Sequence, residues 1–319
     1  MLSPLKIPQK CKLFCIFTSF RVVFHPNGSM NPTLTKPDTE CYNVSGTLFR
    51  NKNISERQDK VMRKLGINLH AVKGMTDDDY LREIAALGFG AIFSGVTTPG
   101  RQADIADSCA KYGIEYETLH APFGHINDIW LENDNGMLDE LCHCIDHCVI
   151  AGAPIAVVHL SAGQRPPSIT DLGRERFARL VDYAIGKNIK IAFENQRKLA
   201  NIAWAFETFT TDMVGFCWDC GHEFCFTPGR HYMPLFGDRL ICTHIHDNTA
   251  VFNEDSHFLP FDGAADFGYV AETLRNSDYT GSLMLEVGNA SRYGELAPQD
   301  FLKKAWDAAV RLHTMAYGE

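Results

Sequence analysis

Aspartate, glutamate and histidine residues recur from residue 120 onward in this 319-residue chain, most of them directly after a short apolar run. Examples are the histidine of Val-Val-His159 and the glutamate of Ala-Phe-Glu194. The full set is His120, His159, Glu194, Asp219, His222, His244, His246, Asp255, His257 and Glu286. Carboxylates and imidazoles that are buried together cost free energy unless a cation neutralises them. Because mixed carboxylate and imidazole donors suit divalent ions, the pattern predicts a site for Mn²⁺, Mg²⁺, Co²⁺ or Zn²⁺.

Apolar runs alternate with amphipathic segments from Met62 onward, and these elements must position the polar side chains. The predicted strands are Gly66–Val72, Gly90–Ser94, Ile114–His120, Ile155–Leu160, Ile189–Glu194, Val214–Asp219, Ile241–His246 and Ser282–Glu286. The predicted helices include Asp77–Leu87, Asp139–Ala151, Asp171–Gly186, Ala265–Asn276 and Phe301–Met315. Buried parallel strands read as continuous apolar runs and need helical crossovers. Eight βα units in about 250 residues predict an α/β fold, a single (β/α)8 TIM barrel over residues 62–319.

The turns and ends of the predicted strands support the barrel and locate its chemistry. An open doubly wound sheet usually carries a glycine-rich phosphate loop after its first strand, and the turn after Val72 has no such loop. Six of the eight predicted strands end in Asp, Glu or His. Such side chains face the mouth of a barrel, where barrel active sites lie. One of them alone would most often be a solvated loop residue, whereas six at one mouth indicate a shared site.

The order of these motifs resembles the xylose-isomerase-like barrel superfamily, which holds sugar-phosphate isomerases and epimerases, ketose 3-epimerases, inosose dehydratases and the endonuclease IV class. The resemblance covers about residues 64–315. It rests on Leu-His-Ala-Pro, Val-Val-His, Phe-Glu-Asn, Asp-x-Gly-His, His-Ile-His-Asp, Asp-x-His-x-x-Pro and the last strand's glutamate. It implies a metal ion held by Glu194, Asp219, His244 and Glu286. His244 is preferred to His246 because the family pattern His-x-x-Asp fits His244 and Asp247.

The resemblance also implies roles for the remaining residues of the set. In the epimerases of this family two glutamates move a proton beside a carbonyl, which would make Glu194 and Glu286 the acid and base around an enediolate. The positions implied to bind substrate or additional metal are His120, His159, His222, Asp255 and His257. Phe123 and Trp130, in the loop after the third strand, fit either a sugar's apolar edge or the core. The expected function is a metal-dependent sugar or sugar-phosphate isomerase or epimerase.

Net charge separates this expectation from the alternative, an endonuclease IV-like zinc phosphodiesterase acting at abasic sites in DNA, because the same polar positions match both. Residues 1–61 carry nine Lys or Arg and four Asp or Glu, so the total of −9 leaves −14 on the rest. A protein that binds duplex DNA needs cations clustered at its mouth. We therefore expect a small-molecule sugar rather than nucleic acid. A third hypothesis, a non-catalytic carbohydrate-binding barrel, is disfavoured by the complete ligand set.

The cations of the predicted loops suit a small acidic or phosphorylated sugar. They are Lys73, Arg101, Arg165, Arg197, Lys198, Arg230 and Arg292. The Gly-Asn segment before Arg292, after the last strand, fits a phosphate pocket or an ordinary turn equally well. The sequence therefore leaves open whether the sugar is phosphorylated.

Residues 1–61 show no helical period and no alternation of strands and helices. They are predicted to be an N-terminal extension that is poorly ordered or results from the choice of an upstream start. The chain has no run of 18 or more apolar residues, so no membrane-spanning helix is predicted and a cytoplasmic location is expected. Barrels of this kind often pair through their outer helices, and a homo-oligomer is a further expectation.

A chain that begins at Met62 is expected to keep the stability and activity of the full-length protein, because the barrel pattern starts there. Thermal unfolding midpoints and turnover of the two chains, measured side by side, test this. If the shortened chain failed to fold, the extension would have to pack on the barrel.

Overall fold

The computed structural model describes residues 63–249, 251–288 and 291–318, and two short strands before them. These strands, β1 (Cys41–Tyr42) and β2 (Leu48–Phe49), pair antiparallel. The rest of the predicted extension lies outside the described residues, and its expected poor order stays a prediction. No helix within the described ranges is long and apolar enough to cross a bilayer. The cytoplasmic location and the homo-oligomer also stay predictions.

Eight parallel strands form the predicted barrel. They are β3 (Leu65–Asn68), β4 (Ala91–Gly95), β5 (Glu115–His120), β6 (Ile155–His159), β7 (Lys190–Glu194), β8 (Val214–Asp219), β9 (Leu240–His244) and β10 (Leu283–Leu285). Strands that follow one another in the chain are neighbours, and β10 pairs with β3. A parallel bridge between Ile245 and Leu285 joins β9 to β10, with Ile245 N–H donating to Met284 O at 2.9 Å. The TIM barrel prediction is therefore confirmed.

The helices follow the strands as the sequence pattern predicts. They are α1 (Asp77–Leu87), α2 (Pro99–Tyr112), α3 (Met137–Ala151), α4 (Asp171–Gly186), α5 (Leu199–Thr208), α6 (Cys220–Phe226), α7 (Met233–Phe236), α8 (Phe267–Asn276) and α9 (Pro298–Tyr317). Short 3-10 turns cover Ile126–Trp130, Gly237–Arg239 and Ser291–Tyr293. The named predicted helices are all present, and only the ends of some of them differ.

The first helix shows how local sequence sets an element of the barrel. The Thr76 hydroxyl caps α1 by accepting the Asp79 N–H at 3.1 Å, and three aspartates of the first turn face the positive end of the helix dipole. Gly88 ends the helix at a φ of 113°, which is the left-handed region. A Cβ there would lie 2.6 Å from the Trp306 ring, so the position favours glycine for two reasons.

Apolar side chains fill the barrel beneath its mouth. One buried cluster consists of Ile155, Val157, Ala192, Cys217 and Cys242, from β6, β7, β8 and β9. A much larger buried cluster includes residues of both the strands and the surrounding helices. The barrel is therefore a packed core, and its polar strand ends rest on an apolar support.

A β-bulge in β5 accompanies the burial of a carboxyl group within this support. The register shifts so that Ile92 pairs with Tyr116 and Phe93 with Thr118, which leaves Glu117 between them. Glu117 is 7% exposed, and no described residue offers its Oε1 a hydrogen bond. Burial is the main reason that the pKa of Glu117 rises to about 6. The ionised Glu117 carboxyl group therefore lowers the free energy of unfolding at neutral pH.

Replacing Glu117 by glutamine should stabilise the protein at high pH. Because the pKa of Glu117 is raised in the folded state, stability is lost as the pH rises from its ordinary value of 4.5 to about 6. This interval corresponds to about 2 kcal/mol. We expect Glu117→Gln to raise the free energy of unfolding by about 2 kcal/mol at pH 8, and by much less at pH 4.5, in urea titrations.

Glu115→Gln is the matched control, because Glu115 lies on the same strand but is exposed and paired with Lys64. Glu115→Gln should change the free energy of unfolding no more than an ordinary surface substitution does. An equal gain from Glu117→Gln at both pH values would show that the carboxyl charge is not the cause.

Candidate functional site

The carboxyl ends of six strands bring the predicted site residues to one mouth. The last residues of β5 to β9 are His120, His159, Glu194, Asp219 and His244. Glu286 directly follows β10. The five strand-end residues are at most 9% exposed, and the Glu286 side chain is 18% exposed. The parallel strands thus collect acids and imidazoles in one buried place.

Glu194 lies at the centre of this place and is 1% exposed. Its Oε2 is 3.1 Å from Nε2 of His120 and 3.0 Å from Nε2 of His159. Its Oε1 is 3.1 Å from Nδ1 of His222 and 3.6 Å from Nδ1 of His244. One carboxylate is therefore surrounded by imidazoles from four different segments of the chain.

The four residues implied as metal ligands come together. We call Glu194, Asp219, His244 and Glu286 the core group, since one donor atom of each lies within 4.8 Å of the others. Within it, no described residue makes a hydrogen bond of acceptable geometry with Glu194 Oε1, Glu286 Oε2 or either ring nitrogen of His244. Buried polar atoms normally have partners. Donor atoms that meet without bonding to each other fit coordination of a shared divalent cation.

A second set of donors lies beside the core group. We call His222, His246, Asp255 and His257 the outer group, and their donor atoms also lie within 4.8 Å of one another. Asp255 Oδ2 is 3.2 Å from Nε2 of His222 and 3.3 Å from Nε2 of His257. The Asp255 side chain is 26% exposed, so this group lies nearer to solvent than the core group.

The remaining predicted residues complete a continuous array. His120, His159 and Glu194 form a third set, the histidine group, which shares Glu194 with the core group. Asp219 connects the core group to the outer group, because its Oδ1 is 3.1 Å from Nε2 of His246. All ten positions noted in the sequence, His246 included, therefore meet at one mouth.

His246 is the residue whose place the sequence did not reveal. The family pattern favours His244 rather than His246 as a metal ligand. The structure places His246 in the outer group, where its ring stacks on the His257 ring with centroids 4.1 Å apart. A Cβ at Gly221 would lie 2.1 Å from Cε1 of His246, so glycine at 221 makes room for the imidazole. The spacing His-x-His was the available signal, because residues two apart on an extended segment point to the same face.

Backbone carbonyls orient several of the imidazoles, among them His120 and His257. Nδ1 of His120 donates to Ala121 O at 2.9 Å, and Nδ1 of His257 donates to Glu286 O at 2.9 Å. These bonds leave Nε2 of each ring facing the carboxylates, the arrangement by which metal-binding imidazoles are usually held.

Two further polar residues hold the backbone of the mouth. Asn195, directly after Glu194, accepts the Asp219 N–H at 2.8 Å and donates to Asp219 O at 2.8 Å. The Asp247 carboxylate accepts the N–H groups of Gly263 and Ala265 at 2.8 and 2.9 Å. Asp247 therefore holds the loop after β9 in place. This structural role accounts for the aspartate of the His-x-x-Asp pattern without making Asp247 a metal ligand.

The charges of the mouth balance each other. Burial would raise the pKa of Glu194, but the imidazoles of His159 and His244 outweigh it and hold that pKa well below its usual value. Burial would lower the pKa of His244, but Glu286 and Glu194 raise it well above the usual range. For His257, Asp255 and nearby carboxylates outweigh burial and raise the pKa to about 10. A cation could therefore replace protons that now balance the carboxylates.

The two aromatic residues proposed from the sequence have different places. Trp130 is 1% exposed and packs against Phe177 and Trp204, so it is a core residue. Phe123 is 47% exposed, and its ring stacks on His159 at 4.5 Å. Of these two residues, Phe123 is the one that offers an exposed apolar face at the mouth.

Solved structures of other proteins share this fold. A xylose isomerase domain protein from Planctomyces limnophilus is 15% identical, covers 80% of this chain and 98% of its own, and gives a TM-score of 0.63. 3-Keto-D-glucoside 4-epimerase from E. coli is 17% identical over 79% of this chain and 99% of its own, with a TM-score of 0.63. D-Allulose 3-epimerase from Methylomonas sp., in complex with D-allulose, is 16% identical over 80% and 98%, with a TM-score of 0.63.

Sequence comparisons agree with the structural likeness. The uncharacterized protein y4fM of Sinorhizobium fredii is 32% identical over 185 residues, which cover 54% of this chain and 58% of that protein. A family model described as xylose isomerase-like TIM barrel matches residues 81–311, which is most of the chain. With the barrel and its mouth described above, this match shows that the protein belongs to the xylose isomerase-like TIM barrel family.

Proposed function

We propose that the protein is a metal-dependent isomerase or epimerase of a sugar or sugar phosphate, which transfers a proton next to a carbonyl. The observation that carries this proposal is the core group, in which the buried Glu194 and the partly exposed Glu286 meet an aspartate and a histidine. The fold shared with 3-keto-D-glucoside 4-epimerase and D-allulose 3-epimerase supports it.

In the proposed reaction, the two glutamates act from different sides of a substrate. Glu194 ends β7 and Glu286 follows β10, with β8 and β9 between these strands around the ring. The surrounding imidazoles outweigh burial and keep the pKa of both glutamates low, so both carboxyl groups are ionised before the reaction begins. One carboxylate within hydrogen-bond reach of a C–H beside a carbonyl takes that proton as the base. The other carboxyl, after it has taken a proton from solvent, acts as the acid that delivers it to the opposite face.

The other residues of the mouth bind the substrate and stabilise the charge that develops on it. The core group would hold a divalent cation, which would supply Lewis-acid stabilisation of negative charge that develops on the substrate. His120, His159 and His222 are within reach of Glu194 and can bind hydroxyl groups. The exposed ring of Phe123 offers a surface for the apolar face of a sugar.

Solvent deuterium exchange tests the proton transfer. We expect metal-dependent incorporation of deuterium at the carbon next to the carbonyl of at least one ketose or ketose phosphate in a panel, followed by NMR. Glu194→Gln and Glu286→Gln should each lower the exchange rate on the order of 100-fold or more, because each removes the acid or base.

Glu117→Gln is the matched control for these variants, since Glu117 is also a buried glutamate of the barrel but belongs to none of the donor groups. It should exchange at the rate of the unchanged protein. Near-normal exchange by either Glu194→Gln or Glu286→Gln would contradict the two-glutamate mechanism.

An endonuclease IV-like zinc phosphodiesterase acting at abasic sites is the second candidate function. The contiguity of the core, outer and histidine groups favours it, because together they offer ligands for more than one cation. The net charge of −14 on residues 62–319 opposes it, because DNA backbones repel an acidic protein.

Metal analysis separates the sites within this array. We expect the purified protein to bind at least one equivalent of divalent metal, and a chelator to lower its thermal unfolding midpoint, because the carboxylates of the core group lose their counter-charge. Asp255→Asn should leave the metal ion of the core group in place. His231→Gln, outside the array, should leave the amount of bound metal unchanged. Incision of abasic duplex DNA without exchange on any sugar would assign the second function instead.

A further inference from the structure

A pocket of about 470 Å³ opens among the loops after β6, β7, β8 and β9. Four cations line it, and we call it the cationic pocket: Arg165, Arg197, Lys198 and Arg230, with Phe226 and Phe252. None of the described residues that line it is acidic. On a barrel with a net charge of −14, four cations in one small pocket are a marked local excess.

Arg197 is held rigidly in this pocket. Its guanidinium carbon lies 3.5 Å from the centroid of the Phe226 ring, and its Nε donates to Asn253 Oδ1 at 2.8 Å. Burial lowers the pKa of Arg197, which shows that its charge is partly removed from water. Within the described chain it forms no ion pair, although arginine in such a setting normally meets an anion.

Lys198 adds a second cation at an unfavourable position. It is the N-cap of the ten-residue helix α5, whose first turn contains no acidic residue. The N-terminal end of a helix carries a partial positive charge, so a lysine there is destabilising unless an anion offsets the lysine charge and the helix dipole. Its Nζ donates to Pro166 O at 2.9 Å, which ties it to the loop after β6.

Arg165 and Arg230 complete the pocket from two other loops. Both are exposed, and no carboxylate of the described residues forms an ion pair with either. Their donors are therefore available to a ligand. Guanidinium groups bind phosphate oxygens in pairs of parallel hydrogen bonds, whereas sugar hydroxyls need no cation.

Stacked rings connect the cationic pocket to the candidate active site. Phe226, beneath the Arg197 guanidinium, stacks on the His222 ring with centroids 4.5 Å apart. His222 Nδ1 is in turn 3.1 Å from Glu194 Oε1. The cationic pocket and the glutamates therefore lie on either side of the stacked Phe226 and His222 rings.

We propose that the cationic pocket binds the phosphate group of a phosphorylated sugar whose reacting carbons lie between Glu194 and Glu286. This rests on the proposed function and adds the substrate class. A phosphate monoester matches the pocket best, because its double charge and three terminal oxygens can engage several cations together. A sugar acid shares the oxyanion chemistry but carries one charge and two oxygens.

Binding measurements on the full-length, metal-loaded protein test the proposal. The probes are D-fructose, D-fructose 6-phosphate, D-fructuronate and inorganic phosphate, titrated by calorimetry. We expect saturable binding of inorganic phosphate, and about 100-fold tighter binding of the phosphate ester than of D-fructose. Arg197→Gln and Arg230→Gln should each weaken binding of both phosphate probes about tenfold, because each removes a charged donor.

Arg292→Gln is the matched control, because Arg292 is exposed and lies after β10, over the Phe258 ring at 4.8 Å and outside the pocket. It should leave binding of every probe unchanged. The exposed Arg230 keeps the test meaningful even if Arg197→Gln misfolds. Binding of D-fructose should be unaffected by Arg230→Gln.

Several results would overturn the proposal. They are equal affinity for D-fructose and its phosphate ester, loss of phosphate binding in Arg292→Gln rather than in the pocket variants, and tighter binding of D-fructuronate than of the ester through the same arginines. The proposal would also be overturned if abasic duplex DNA bound through these arginines while neither phosphate probe bound. Phosphate binding requires no turnover, so its presence without any deuterium exchange would contradict the proposed function and leave the pocket assigned.

Discussion

The burial of one carboxylate among imidazoles is the interaction on which the mouth of this barrel depends. Glu194 is 1% exposed and lies within 3.6 Å of four histidines. A charge in that position is tolerable only when oppositely charged or hydrogen-bonding groups surround it. Those groups come from β5, β6, α6 and β9, so only the closed ring can supply them. The chemistry of the mouth and the closure of the barrel therefore depend on each other.

The apolar interior beneath the mouth holds these charged side chains in place. Beneath the polar mouth lies an apolar support, and the Phe93 ring stacks against His244 with centroids 4.5 Å apart. Rigid apolar packing restricts the rotamers of the strand-end side chains. The core group therefore keeps a fixed arrangement in which several donor atoms have no hydrogen bond from a described residue, which suits a site that must bind a cation or a transition state in one geometry.

The strand ends could be predicted from the sequence, whereas features made by loops and register could not. Buried parallel strands have a recognisable apolar pattern, so the residue that ends each one could be placed at the mouth. The burial of Glu117 depends on a bulge between β4 and β5, which no local pattern marks. The convergence of Arg165, Arg197 and Arg230 depends on three separate loops, and the sequence shows them only as scattered cations. Trp130 needed the packing of α4 and α5 to identify it as core.

Asp219 shows how little chemical freedom one position of the mouth retains. Its carboxylate belongs to the core group and also caps α6, accepting the His222 N–H at 2.6 Å. Asparagine would cap the helix equally well but would bring no charge, and glutamate would bring the charge but is a poor cap. Aspartate alone meets both demands. A single substitution at residue 219 therefore removes either the helix cap or a carboxylate of the core group, and most substitutions remove both.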